Sequence, residues 1–224
     1  KVALKTDLSK LSDNEKQVLA LLIQAAEVMN DLYWEQSYGD KNELLSKIKD
    51  ESTKEFVLIN YGPWDRMDDN FPFVDGVEKK PDGANFYPSD MTKEEFEKAE
   101  FIGKNDSYAM VRRNESGKLE SIPYHVYFKY ELVKAASFLL SAAKITEDLS
   151  FKNYLEQRAN ALLTDQFDLS DRTWIDMKTN HLDIVIGPIE NYEDALFNIR
   201  TSWNGVSVCQ NMLLFYHNYK KIFQ

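Results

Sequence analysis

Four prolines crowd one short stretch of this chain. Pro63, Pro72, Pro81 and Pro88 lie between Tyr61 and Asp90, with Gly62, Gly76 and Gly83 among them. Proline fixes its own φ, lacks a backbone donor and pushes the preceding residue out of the α region. No long helix or central strand can therefore cross residues 61–90. An irregular stretch of that length inside a compact domain is as a rule functional or pinned to a surface.

The sequence on either side is periodic. After Ser12-Asp13, the residues Val18, Leu19, Leu21, Leu22, Ala25, Ala26, Met29 and Leu32 recur at helical spacing, with Ser12 or Asp13 placed to cap and Gly39 to stop the helix. A shorter helix is expected over Lys41 to Ile48. Phe56 to Asn60 reads equally as strand or helix. Thr92-Lys93-Glu94-Glu95 is a capping box that opens a helix to about Phe101. Tyr108–Arg113 and Leu119–Ile122, joined by Asn114-Glu115-Ser116-Gly117, read as a β-hairpin. Helices are expected over Tyr124 to Lys144 and Ser150 to Asp165, and a β-branched strand over Leu182 to Ile186. The fold class is α+β, mainly α-helical, with a small and incomplete β-sheet or barrel.

Charge narrows the partners. Lys and Arg number 27 against 37 Asp and Glu, a net charge of −10. That field repels a phosphate backbone, so nucleic acid is not an expected partner, and it suits a cationic ligand such as a peptide amine better. No apolar run approaches the ~20 residues that a membrane-spanning helix needs. The single cysteine, Cys209, rules out an intramolecular disulfide and reads as a small core residue rather than a nucleophile. The chain opens on Lys1 and not on Met, which reads as the loss of something upstream, by processing or by an arbitrary cut. An envelope and a cytoplasmic location both stay open.

Metal chemistry has little to work with. The three histidines, His125, His181 and His217, are far apart, and none begins or ends an HExxH or HExxxH pattern. A helical zinc site needs two ligands about one turn apart so that both face one cation. No metal ligand is therefore assigned. Asp65, Asp68 and Asp69 lack the spacing and distal Glu of an EF-hand loop and read as a solvated acidic loop.

Three segments stand out as an ordered set: Asn60-Tyr61-Gly62-Pro63-Trp64-Asp65-Arg66, Gly83-Ala84-Asn85-Phe86-Tyr87-Pro88-Ser89-Asp90-Met91-Thr92, and Ile186-Gly187-Pro188-Ile189-Glu190-Asn191-Tyr192-Glu193-Asp194. With Ile122-Pro123-Tyr124 leading into a long helix, the set resembles the N-terminal half of bacterial dipeptidyl peptidase III-like zinc metallopeptidases. Some members of that group carry the name Nudix-associated hydrolase. The resemblance covers most of residues 10–198.

The resemblance implies a two-lobed exopeptidase that removes dipeptides from peptide N-termini. One lobe carries zinc on an HExxGH helix and a further glutamate, and the other receives the peptide's amino end. Residues 1–224 match the second lobe as a single unit and lack the zinc motif. Zinc is then a cofactor of the complete enzyme and is not bound by this chain. The implied partners are an oligopeptide with a free N-terminus, and the zinc lobe or another chain.

Carried over by position, Glu190 takes the substrate's free amine and Tyr192 hydrogen-bonds the scissile carbonyl or its tetrahedral intermediate. A carboxylate can pair with an ammonium, and a phenol can donate to a developing oxyanion. Losing one such donor typically costs ~100-fold or more in rate. If the strand continues in extended form, residues 190 and 192 share a side. Without the resemblance, Glu-x-Tyr would be one solvated acid and one half-buried ring, and the first two segments would be plain turns, with Asp65 and Arg66 forming a local ion pair.

From about residue 199 the sequence departs from the family pattern, running through Thr201-Ser202-Trp203-Asn204-Gly205-Val206 to Lys220-Lys221. A truncated gene, a shifted frame or a divergent ending would each read this way. Strand partners normally supplied by the other lobe would be missing, leaving apolar surface or an edge for another chain. The alternative function is a non-catalytic peptide- or protein-binding module.

Overall fold

The structure, a computed structural model, describes residues 7–209 and 212–214. The expectations for His217 and Lys220-Lys221 lie outside the described residues. The chain divides into two compact units. The first holds residues up to 31, 128–187 and those from 203 on; the second holds 32–127 and 188–202.

The first helix, α1 (Asp13–Ser37), contributes to both units. Its start is a complete capping box. The Glu15 N–H donates to Ser12 Oγ at 3.2 Å, and the Ser12 N–H donates back to Glu15 Oε2 at 2.7 Å, so two of the helix's orphan donors are satisfied reciprocally. It ends where Gly39, at φ +114°, gives its N–H to the Trp34 carbonyl.

Within the first unit, Val18, Leu22, Ala25 and Met29 of α1 are buried. So are Leu132, Ala135, Leu139 and Ala142 of α6 (Lys129–Ile145), at the i, i+3, i+4 spacing of an apolar stripe. Helix α6 packs on α7 (Leu149–Leu162), and α7 on α8 (Asp168–Asp176). Arg158 of α7 is buried, ion-paired with Asp171 and sandwiched between the rings of Tyr154 and Phe167, each about 5.4 Å from its guanidinium carbon. The sheet of this unit has the order β5 (Leu182–Glu190), β6 (Ser202–Cys209), β7 (Met212–Leu214). Gly205 of β6 lies so close to α1 that an added Cβ would meet Ala26 Cα at 2.9 Å, and glycine permits that approach.

The second unit begins with the last turns of α1 and adds α2 (Lys41–Lys47) and α3 (Glu51–Asn60), capped by Asp40 and Asp50. Tyr33, Trp34, Leu44, Ile48, Val57 and Tyr61 form one buried cluster. The proline-rich stretch keeps only a two-residue ladder, β1 (Trp64–Asp65) against β2 (Phe71–Pro72). After it come α4 (Lys93–Lys98), the antiparallel hairpin β3 (Ala109–Arg113) and β4 (Leu119–Pro123), and the single turn α5 (Tyr124–Tyr127).

Several boundaries differ from the sequence reading. Helix α4 stops at Lys98 rather than near Phe101, because Lys104 Nζ donates to the Glu97 and Ala99 carbonyls and Gly103 turns the chain at φ +75°. The run expected over Tyr124–Lys144 is broken at Phe128, whose ψ of +28° is not helical. Phe56–Asn60 resolves to helix. Helix α8 and strand β6 had not been expected. Strand β6 sits between two partners, which leaves β5 at an edge of the described sheet.

Candidate functional site

The three segments that stood out in sequence converge in the second unit on two adjacent acids. Glu193 is 2% exposed and Asp194 fully buried. An isolated carboxylate in that setting would be costly, so its partners explain the local fold.

Arg66, from the first segment, meets Glu193 with both terminal nitrogens, Nη1 to Oε2 at 2.7 Å and Nη2 to Oε1 at 3.1 Å. The Arg66 side chain is aimed by its own segment. Its Nε donates to the Asn60 carbonyl at 2.6 Å, and its N–H donates to Asn60 Oδ1 at 2.9 Å. Lys80 Nζ donates to Glu193 Oε1, and the Tyr33 hydroxyl donates to Oε2 at 3.0 Å. Burial alone would raise the Glu193 pKa, but the charges and hydrogen bonds of Arg66 and Lys80 outweigh it and hold the carboxyl at about 2. Burial lowers Lys80 against the pull of Glu193, and the neighbouring Arg66 charge lowers it further. Burial also pushes the Tyr33 phenol well up, and the Glu193 charge adds to that. The local pair expected between Asp65 and Arg66 is not what forms. Asp65 Oδ1 accepts from the Met67 N–H at 2.9 Å, and Arg66 reaches 127 residues along the chain instead.

Asp194 organises the second half of the site. Its Oδ2 accepts from the Tyr87 hydroxyl at 2.8 Å and from the N–H groups of Ile199 and Arg200 at 2.9 and 3.0 Å, and its Oδ1 accepts from the Phe197 N–H at 3.2 Å. Tyr87 comes from the second segment. Its ring lies edge-on to Phe96 and Phe197, and Arg200 lies over it at 5.8 Å. Gly83 is needed here, because a Cβ would meet Tyr87 Cδ2 at 2.6 Å. Burial and the Asp194 charge both push the Tyr87 phenol up. Arg200, fully buried, donates onward to the carbonyls of Lys104 and Asp106.

Glu190 and Tyr192 lie immediately before these anchors. Both are exposed, Tyr192 at 56%. Strand β5 ends at Glu190, and the chain then turns, with the Asp194 N–H donating to the Asn191 carbonyl at 3.1 Å. The extended geometry considered for residues 190–192 therefore stops at its first member. Asn191 Nδ2 closes the loop onto the Asn198 carbonyl at 3.1 Å. The result is an exposed acid and an exposed phenol carried on a turn fixed from below.

Sequence reasoning missed the anchors themselves. Glu193 and Asp194 lie inside the third segment, and Arg66 and Tyr87 inside the first and second. The available signal was that each glycine- and proline-rich segment carries a side chain able to satisfy a buried carboxylate.

His181 Nδ1 lies 2.9 Å from Glu15 Oε1 in the first unit, beside a cavity of about 590 Å3. Among the described residues no three His, Cys, Asp or Glu side chains are placed to hold a metal ion, so these residues do not fit a zinc centre. Cys209 lies in β6. No helix among the described residues is long and apolar enough to cross a membrane.

No family model matches the chain. Its structure is similar to that of dipeptidyl peptidase III from Caldithrix abyssi, with a TM-score of 0.85 and 35% identity, over 92% of this chain and 41% of that one. It is also similar to dipeptidyl-peptidase III from Corallococcus sp. strain EGB, with a TM-score of 0.86 and 33% identity, over 93% and 41%. Nudix hydrolase 3 of Arabidopsis thaliana is 27% identical over 264 aligned positions, 90% of this chain and 34% of that protein. The chain thus spans 34% to 41% of the length of these proteins. Within that span, the chain has a dipeptidyl peptidase III-like fold.

Proposed function

We propose that this chain is the substrate-binding part of a dipeptidyl peptidase III-like exopeptidase, and that the turn after β5 receives the amino end of a peptide. In this reading the Glu190 carboxylate pairs with the free ammonium. The Tyr192 hydroxyl donates to the carbonyl oxygen of the bond to be cut, where negative charge develops. The observation that carries the reading is the contrast along five residues: Glu190 and Tyr192 are exposed while Glu193 and Asp194 are buried and fully engaged. Such a turn holds a recognition pair still without covering it, so less ordering is needed on binding.

The described residues do not fit a zinc ion, so hydrolysis is not assigned to them. When bound in a complete enzyme of this kind, zinc would supply an activated water. The chain by itself is expected to bind peptide and not to cleave it. Incubated with zinc and a dipeptidyl-naphthylamide, it should release no naphthylamine. Zinc-dependent release that co-purifies with the chain and is abolished by Tyr192→Phe would overturn that expectation.

Binding is tested by calorimetry with tetra-alanine bearing a free or an acetylated N-terminus. The free amine should bind at least ten-fold more tightly, and Glu190→Gln should erase the difference. Equal affinities in the unaltered chain would remove Glu190 from its role. Binding of a protein partner without any peptide preference would favour a non-catalytic interaction module.

A further inference from the structure

The buried group beneath the turn is not electrically balanced. Arg66 and Lys80 bring two positive charges to a single carboxylate, Glu193. Both cations are largely shielded from solvent, with side chains 25% and 11% exposed, so water screens them poorly. Glu190 is only three residues from Glu193, at most ~10 Å along the chain. An ammonium arriving at Glu190 would feel this cluster. With Glu193 charged the cluster is +1; without that charge it would be +2, enough to oppose the single negative charge of Glu190.

We infer that Glu193 is a positioning residue for amine recognition: it holds the turn by its bonds to Arg66, Lys80 and Tyr33, and it halves, from +2 to +1, a cationic field that would otherwise repel the peptide ammonium. This rests on the Glu190 reading above. Tyr33 adds to the same end, since its hydroxyl donates to Glu193 without bringing charge. Lys80 is the adjustable member, because Arg66 alone already meets both carboxylate oxygens.

Three variants of the full chain decide it: Glu193→Gln, Lys80→Met, and the two combined, giving clusters of +2, 0 and +1. Each is titrated with free and acetylated tetra-alanine, with circular dichroism to confirm folding. Glu193→Gln should weaken the free peptide at least ten-fold and the acetylated one less than two-fold. Lys80→Met should tighten the free peptide at least five-fold. The double variant, whose net charge is that of the natural cluster, should return to within three-fold. Raising the salt concentration should narrow the gap between Glu193→Gln and the unaltered chain.

A structural role alone would weaken both peptides alike and would not be rescued by Lys80→Met. If Glu193→Gln does not fold, the comparison of Lys80→Met with the double variant decides: equal free-amine preference in those two overturns the inference. Equal binding of both peptides by the unaltered chain overturns the Glu190 reading and this one with it. Discrimination that is lost in Glu190→Gln but survives in folded Glu193→Gln overturns this one alone.

Discussion

Asp194→Ala is expected to lower the unfolding free energy by about 4 kcal/mol, one of the largest single-residue effects in the chain. The side chain is fully buried and accepts from the Tyr87 hydroxyl and from three backbone N–H groups, those of Phe197, Ile199 and Arg200. Alanine leaves four donors without their acceptor. An unsatisfied buried donor costs ~1–3 kcal/mol, and partial relief by water brings the sum down. Asp194→Asn should cost about half as much, because one amide oxygen at the Oδ2 position keeps three of the four bonds. Urea unfolding measures both. A loss below about 1 kcal/mol for the alanine variant would mean that the loop is held by its other contacts. The turn should loosen with Asp194→Ala, so amine-dependent binding should weaken at temperatures well below the melting point.

The second large effect is a dependence on pH. Glu193 sits at about 2 in the folded chain against an ordinary 4.5, because Arg66 and Lys80 favour its charged form. A carboxyl lowered in this way contributes stability that is fully present above pH 4.5 and is lost as the pH falls through 2. The difference corresponds to about 3 kcal/mol. Glu193→Gln removes this contribution. The gap in unfolding free energy between the natural chain and the variant should be wide at pH 6 and should shrink by about 3 kcal/mol by pH 2. A gap that stays constant over that range would show that the carboxylate is not tied to its two cations in solution.

The helices and the hairpin were legible in the sequence because their signals are local. Ser12 and Glu15 form the capping box that their spacing allows, Thr92 caps α4, and the Asn114–Gly117 turn closes β3 on β4. The lengths of α4 and α6 were less legible, since Lys104 and Phe128 end or break them through contacts that periodicity does not encode. Strand β6 was hidden, for Ser202-Trp203-Asn204-Gly205 has none of the β-branched alternation of Leu182–Ile186, and its glycine answers to the closeness of Ala26. The site divided in the same way. That Glu190 is exposed followed from its type, whereas the Tyr192 ring, which spacing alone reads as half-buried, is 56% exposed. That Glu193 would be buried did not follow, because its partners Tyr33, Arg66 and Lys80 are 160, 127 and 113 residues away and no spacing rule links them.

Residues 188–202 belong to the same compact unit as residues 32–127, although sixty residues of the other unit are strung between them. On a ribosome, where the chain emerges from its amino end, Arg66 and Lys80 are therefore made long before the acid that pairs with them. Until Glu193 leaves the exit tunnel, these two cations have no reason to leave water, and the pocket that will bury them has no reason to close. Native assembly of this unit should come as a late event gated by the arrival of a short peptide, rather than as early growth from the first helices. Fragments cut before residue 193 should then hold Arg66 open to solvent, and a synthetic peptide covering 188–202, supplied in trans, should be able to finish them.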